Sequence, residues 1–289
     1  MTTKLLAIFT RTPLHVGAGS SVGVVDQPVI RERHTRFPVI PGSALKGVLA
    51  DLWLEKGEDG KLRRSKEGKK LFGFDEKQTK ENPGSVGSLY IGESKLLAFP
   101  VRSARGCFAW LTCPTALRRF NREANAKLSI ENLSVEGMDA VAVDSLTLGG
   151  NKAAFEEYVV TVKSKPDDND TVVKALAGMS GDPLWCKELK DKLAIVSDEL
   201  FQYFSENACE IAQHNRINDE SHVVDDKALF SQENVPSESM FYAVLRSKDD
   251  SDFIKLSDKL RTVGNVVQIG ADITTGLGWC SVMFAKEVK

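Results

Sequence analysis

The five cysteines (Cys107, Cys113, Cys186, Cys209, Cys280) are odd in number and contain no CxxC pair. That argues against a disulfide framework and against a cysteine-held zinc site, and it fits a reducing compartment. No run of eighteen apolar residues occurs, so no membrane span or membrane partner is expected. The opening MTTKLLAIFTRTPLHV is interrupted by Arg11 and Pro13 too soon to read as a signal peptide, which points to the cytoplasm. Internal repeats and low-complexity tracts are absent as well. What remains is the composition of a folded soluble chain, 42% hydrophobic and 27% charged over 289 residues, a length that suits one elaborated domain.

The net charge of −2 conceals an uneven distribution. Residues 1–127 carry a balance of +10 and the remainder −12. Two halves of opposite sign suit either a polyanion bound by one part or copies that meet head to tail.

The stretch His15–Gly47, HVGAGSSVGVVDQPVIRERHTRFPVIPGSALKG, concentrates the unusual positions. It holds a glycine-rich turn, one isolated carboxylate at Asp26, a basic run (Arg31, Arg33, Arg36) and a Pro-Gly-Ser helix entry. Gly17, Gly19 and Gly23 superficially resemble a dinucleotide fingerprint. That fingerprint needs a helix to follow, and Val24, Val25 and Pro28 disfavour one, so a nucleotide-cofactor enzyme is the weakest reading. Downstream, Leu45, Val48, Leu49, Leu52 and Trp53 recur at helical spacing, with Ser43 as the expected N-cap and Gly57 as the expected stop. Free amides at Gly42 and Ser43 with Lys46 in the first turn make either a phosphate site or a plain capped helix with a solvated lysine.

In chain order, residues 4–11 read as a central strand, 88–113 as two strands around a basic turn, and Pro114 as the start of a helix with Leu117 and Phe120 inward and Arg118, Arg119 and Arg122 outward. Residues 129–195 show no clear pattern. A helix is expected over 197–211, then a projecting hairpin, a strand from Met240, a helix over 251–262 ending at Gly264, a glycine-rich loop at 270–278 and a last strand from Trp279. Strand, helix, strand, strand, helix, strand predicts an α+β, ferredoxin-like or RRM-like core, with insertions at roughly 56–87 and 129–235 inside a single domain. Phe37, Trp53 and Trp110 read as core, not as base-stacking platforms.

Several segments together, LHVGAGSSVGVVDQPVIRERHTRFPVIPGSALKG, LLAFPVRSARGCFAWLTCP, HNRIND with a later LF, VPSESMFY and IGADITTGLGW, resemble the backbone subunit of the type III-B CRISPR effector, the Cmr complex of the RAMP superfamily. The resemblance implies an RRM-like palm with a β-hairpin thumb, in copies that stack head to tail along a CRISPR RNA beside the other Cmr subunits. It also implies metal-dependent cleavage of target RNA at regular intervals. It carries the family's loop acid onto Asp26, a helper histidine onto His15, the guide-backbone lysine onto Lys46 and a thumb-side acid onto Glu233, with Glu238 second. Gln232 stands where a second glutamate is common. GADITTGLG, with Gly270, Gly276 and Gly278, matches the RNA-packing loop.

One aspartate cannot by itself activate a 2′-OH, align the phosphate and offset developing charge. A hard ion such as Mg²⁺ or Mn²⁺, loosely held by Asp26 and completed by RNA oxygens, would supply the rest. Without the resemblance Asp26 reads first as a turn aspartate before Pro28, and His15 reads equally as a histidine supporting the glycine loop. A guide-binding scaffold without cleavage stays the alternative to an endoribonuclease. Either form would read backbone and A-form shape, with affinity that falls as salt rises.

Overall fold

Alternation along the first strand decides where the fold is centred. In Thr2–Thr10, Leu6 and Ile8 face one way and Ala7 the other, and all three are buried. A strand covered on both faces belongs inside a sheet. In the computed structural model, which describes residues 1–21, 23–74, 85–124, 126, 128–130, 133–166, 171–180, 183–215 and 229–285, this strand lies between Met240–Ser247 and Trp279–Phe284. Tyr90–Arg102 flanks Met240–Ser247, and all these neighbours run antiparallel. Helix Gly42–Asp51 follows the first strand and helix Ser251–Thr262 follows Met240–Ser247. Leu45, Leu49, Leu256 and Leu260 of these helices pack on the face that carries Leu6 and Ile8. This is the ferredoxin-like palm, with the third and fourth strands on either side of the first.

The sheet does not stop there. Phe108–Thr112 pairs with Tyr90–Arg102, Leu193–Val196 runs parallel to it, and Asp139–Ala142, Tyr158–Ser164, Lys152–Phe155 and Thr147–Gly149 complete a twelve-stranded sheet. Helix Pro114–Ala124 and the helices Thr171–Met179 and Pro183–Lys192 cover the second face, where Leu117, Phe120, Val172, Leu176 and Leu189 join Ala7, Trp110 and Tyr242. Residues 129–195 therefore become sheet and covering helices, although most of these strands have only three or four residues. Phe37, Trp53 and Trp110 are all buried.

Two boundaries and one side chain differ from the sequence pattern. The first helix is Gly42–Asp51, with Pro41 at its N-cap at φ −55°; Ser43 lies inside the first turn with its side chain exposed. The N-cap makes no side-chain hydrogen bond, and Ser43 sits too far into the first turn to provide one. The helix ends at Leu52, and Gly57 instead turns the hairpin Leu54–Lys56/Leu62–Arg64, donating its N–H to the Lys61 carbonyl at 2.9 Å. Arg119, expected outward, turns in to pair with Glu32 at 2.7 Å. The expected projecting hairpin has its arms in Glu210–His214 and Phe230–Asn234; its NDES and VDDK turns lie outside the described residues.

Candidate functional site

The loop that leaves the first strand is tied down at each end before it reaches Asp26. Leu14 exchanges two backbone hydrogen bonds with Val235, at 2.8 and 2.9 Å, and the Ile30 N–H donates to the Val16 carbonyl at 2.8 Å. Residues 26–28 then run alongside the hairpin arm Phe230–Asn234: the Gln27 N–H donates to the Ser231 carbonyl at 3.0 Å and the Glu233 N–H to the Gln27 carbonyl at 2.9 Å. The short parallel ladder sets Asp26 against Ser231, 205 residues away in sequence.

Asp26 is exposed, and its carboxylate is held from one side. Oδ2 accepts the Ser231 N–H at 2.7 Å and the Ser231 hydroxyl at 2.8 Å, while the Asp26 N–H donates back to Ser231 Oγ at 3.1 Å. These donors, the backbone N–H foremost, hold the carboxyl below its ordinary range, so it is ionised at neutral pH. Oδ1 has no hydrogen-bond partner among the described residues. Behind the loop lies an open cavity of about 660 Å³, walled by Ser21, Val25, Pro28, Arg36 and Asn207.

His15 is buried, and its Nδ1–H donates to the Glu233 carbonyl at 2.7 Å. A Cβ at Gly17 would come within 2.8 Å of Nε2, so the ring is closely covered by its own loop. This geometry makes His15 a tie between loop and hairpin arm.

Glu233 and Arg31 lie together inside the protein. Glu233 is buried; Oε2 accepts the Val29 N–H at 2.9 Å and Oε1 takes Arg31 at 2.5 Å. The Arg31 Nη1 group donates to the Arg36 and Ser205 carbonyls, at 2.9 and 2.8 Å, and Nη2 also donates to Cys209 Sγ. Burial pushes the Cys209 thiol up to about 12, so it meets Arg31 as a neutral group. Both Glu233 oxygens and both Arg31 Nη groups are thus engaged inside the protein. Glu238, the second candidate, occupies a left-handed turn at φ 68° where its carbonyl accepts the Trp110 Nε1–H, and it lines a cavity shared with Phe9 and Arg11. Arg33 is exposed and makes no ion pair with a described residue.

Lys46 is likewise exposed and without an ion pair to a described residue, on the outer side of its helix. Gly42 is explained by packing, since a Cβ there would meet the Ile91 carbonyl at 2.8 Å. The C-terminal loop separates its glycines in the same way. A Cβ on Gly270 would lie 2.1 Å from the His15 carbonyl and one on Gly278 2.0 Å from the Ile269 carbonyl, both at positive φ. Gly276 also has positive φ, 87°, but faces open space. Gly270→Ala should therefore destabilise the fold by more than about 3 kcal/mol, and Gly276→Ala by only about 1 kcal/mol. Chemical denaturation of the two variants checks this; equal losses would contradict it.

Sequence reasoning missed Ser231 and a third tie, in which Gln232 Nε2 donates to Asp272 Oδ2 at 2.8 Å and so links the hairpin arm to the glycine-rich loop. No group of three or more His, Cys, Asp or Glu side chains among the described residues is placed to hold a metal. The donor set fits only an ion held by Asp26 Oδ1 and otherwise by water and substrate oxygens. None of the described helices is long and apolar enough to cross a membrane.

A family model described as the RAMP superfamily matches residues 8–281. Over its full length the chain is 34% identical to the CRISPR system Cmr endoribonuclease Cmr4 of Pyrococcus furiosus, covering 97% of that protein. It superposes on the crystal structure of oligomeric Cmr4 from Pyrococcus furiosus with a TM-score of 0.71 and 28% identity, over 99% of this chain and 98% of the other. A chain of the cryo-EM structure of the type III-B Cmr-beta bound to cognate target RNA shares the fold, with a TM-score of 0.75 over 100% and 99% of the two chains at 20% identity.

Proposed function

The chain belongs to the RAMP superfamily, and from that premise we propose that it is the guide-binding backbone subunit of a type III-B effector, copies of which stack along a CRISPR RNA and cleave complementary target RNA. The observation that carries the proposal is an exposed carboxylate fixed on one oxygen and open on the other, in a chain alike end to end with an endoribonuclease of that system. Copies of itself, the other Cmr subunits, the guide and the target are the partners this reading requires, and the cytoplasm is where it places them.

Within that reading Asp26 is the catalytic residue and faces the scissile phosphate from the loop. Mg²⁺ or Mn²⁺ held through Oδ1 would supply charge compensation and help align the 2′-OH with the phosphate. His15, Glu233 and Arg31 act through the loop: they fix its backbone and so the place of Asp26. The cavity behind the loop leaves space for the nucleotide next to the cleaved bond. Lys46 and Arg33 supply charge to the RNA backbone, and Gly276 is the glycine of the C-terminal loop at which RNA can approach.

The test is reconstitution with a guide RNA and the partner subunits. Complementary RNA should be cut at regular intervals in Mg²⁺ or Mn²⁺, and EDTA should abolish cutting while leaving target bound. Guide affinity should fall steeply between 50 and 200 mM salt, by about 10³-fold or more if six or so phosphates are held. Binding without cutting would favour the scaffold reading, and salt-insensitive guide affinity would remove the RNA reading altogether.

A further inference from the structure

Asp26 and Ser231 close a small ring of hydrogen bonds: Asp26 N–H to Ser231 Oγ, Ser231 hydroxyl to Asp26 Oδ2, and Ser231 N–H to the same Oδ2. A carboxylate on an exposed loop would ordinarily rotate about its side-chain torsions and share both oxygens with water. Here one oxygen is saturated by two donors from a single residue, so the plane of the group is set and the other oxygen stays uncommitted among the described residues. Ser231 is itself fixed, because its carbonyl accepts the Gln27 N–H, and the next two residues of the arm hold Asp272 and Arg31.

We propose that Ser231 is a positioning residue for RNA cleavage, holding Asp26 by Oδ2 so that Oδ1 is presented to the phosphate and its metal ion. The inference rests on the reading of Asp26 given above and extends it to a residue on the hairpin arm. The arm then has a task besides projecting: its alternating side chains clamp the acid from Ser231 and the C-terminal loop from Gln232. Because the N–H of residue 231 survives any ordinary substitution, Ser231→Ala removes only the hydroxyl part of the clamp. The effect should therefore be smaller than loss of the acid.

The experiment uses the guide-loaded complex assembled with Ser231→Ala, Ser231→Thr, Asp26→Asn or the unaltered chain. Single-turnover cleavage and target affinity are measured separately, and Mn²⁺ binding is followed by the electron paramagnetic resonance signal of the free ion. Ser231→Ala should cleave about 10- to 100-fold more slowly and bind Mn²⁺ more weakly, as for loss of a group that orients a metal ligand. Target affinity should stay within about twofold, and Ser231→Thr, which keeps the hydroxyl, should recover most of the rate. Should Ser231→Ala fail to assemble, Ser231→Cys takes its place with the same expectations. Cleavage at the unaltered rate, a parallel loss of target affinity, or Ser231→Thr no better than Ser231→Ala would overturn the assignment while leaving Asp26 catalytic. An unaltered complex that does not cut, or Asp26→Asn that cuts normally, would overturn the functional reading and this inference with it.

Discussion

Asp26→Asn should leave a complex that loads guide and pairs with target but cleaves at least about 100-fold more slowly. Asparagine preserves the side chain's shape and can still accept the Ser231 N–H through its amide oxygen. What it removes is the negative charge and one strong ligand oxygen for a hard cation. Asp26 is exposed and takes no part in the core, so the substitution should leave the melting temperature close to that of the unaltered chain. Single-turnover cleavage beside a gel-shift measurement of target binding separates the two quantities. A variant that cuts normally would return Asp26 to the role of a turn residue before Pro28.

The second large effect is on stability. Glu233→Ala strands the Arg31 guanidinium, whose side chain is only 5% exposed, and frees the Val29 N–H in a buried place. Breaking a buried pair from one side destabilises by about 3–5 kcal/mol, which for a chain of this size lowers the melting temperature by about 10 °C. Arg31→Met alone should do comparable harm, since it leaves the carboxylate uncompensated and the Ser205 and Arg36 carbonyls without their donor. The double variant Arg31→Met with Glu233→Gln should lose less than the two single losses together, because no unpaired charge remains and glutamine still accepts the Val29 N–H. Below its melting temperature the Glu233→Gln complex should retain cleavage within about tenfold of the unaltered rate. A loss as deep as that of Asp26→Asn would show that Glu233 takes part in the chemistry and has a role beyond holding the loop.

The contrast between these residues shows what a sequence can display. The first strand and the helix ending at Gly264 were legible because burial is written locally, as apolar spacing closed by a glycine. The ferredoxin-like order followed from such segments. Residues 129–195 were not legible, since strands of three or four residues are too short to establish a period. Ser43 misled because a serine before a helical pattern is a good cap, whereas Pro41 entered the helix without one. Asp26 came from the family resemblance, with turn chemistry alone pointing elsewhere. The pairs Asp26–Ser231, His15–Glu233 and Arg31–Glu233 join residues more than 200 apart, and no local pattern marks either partner. Arg31 and Glu233 therefore read as free charges until the fold brought them together.

The two ends of the long sheet carry a further consequence. Its outermost strands, Thr147–Gly149 and Val266–Gln268, have three residues each, and so offer little unpaired backbone to an incoming chain. Long open edges invite runaway polymerisation through main-chain pairing, and truncated ones suppress it. A protein proposed to line up with its own copies has reason to close that route. Association between copies in the proposed assembly would then rest on side-chain surfaces and on the nucleic acid, not on main-chain pairing at the sheet edges.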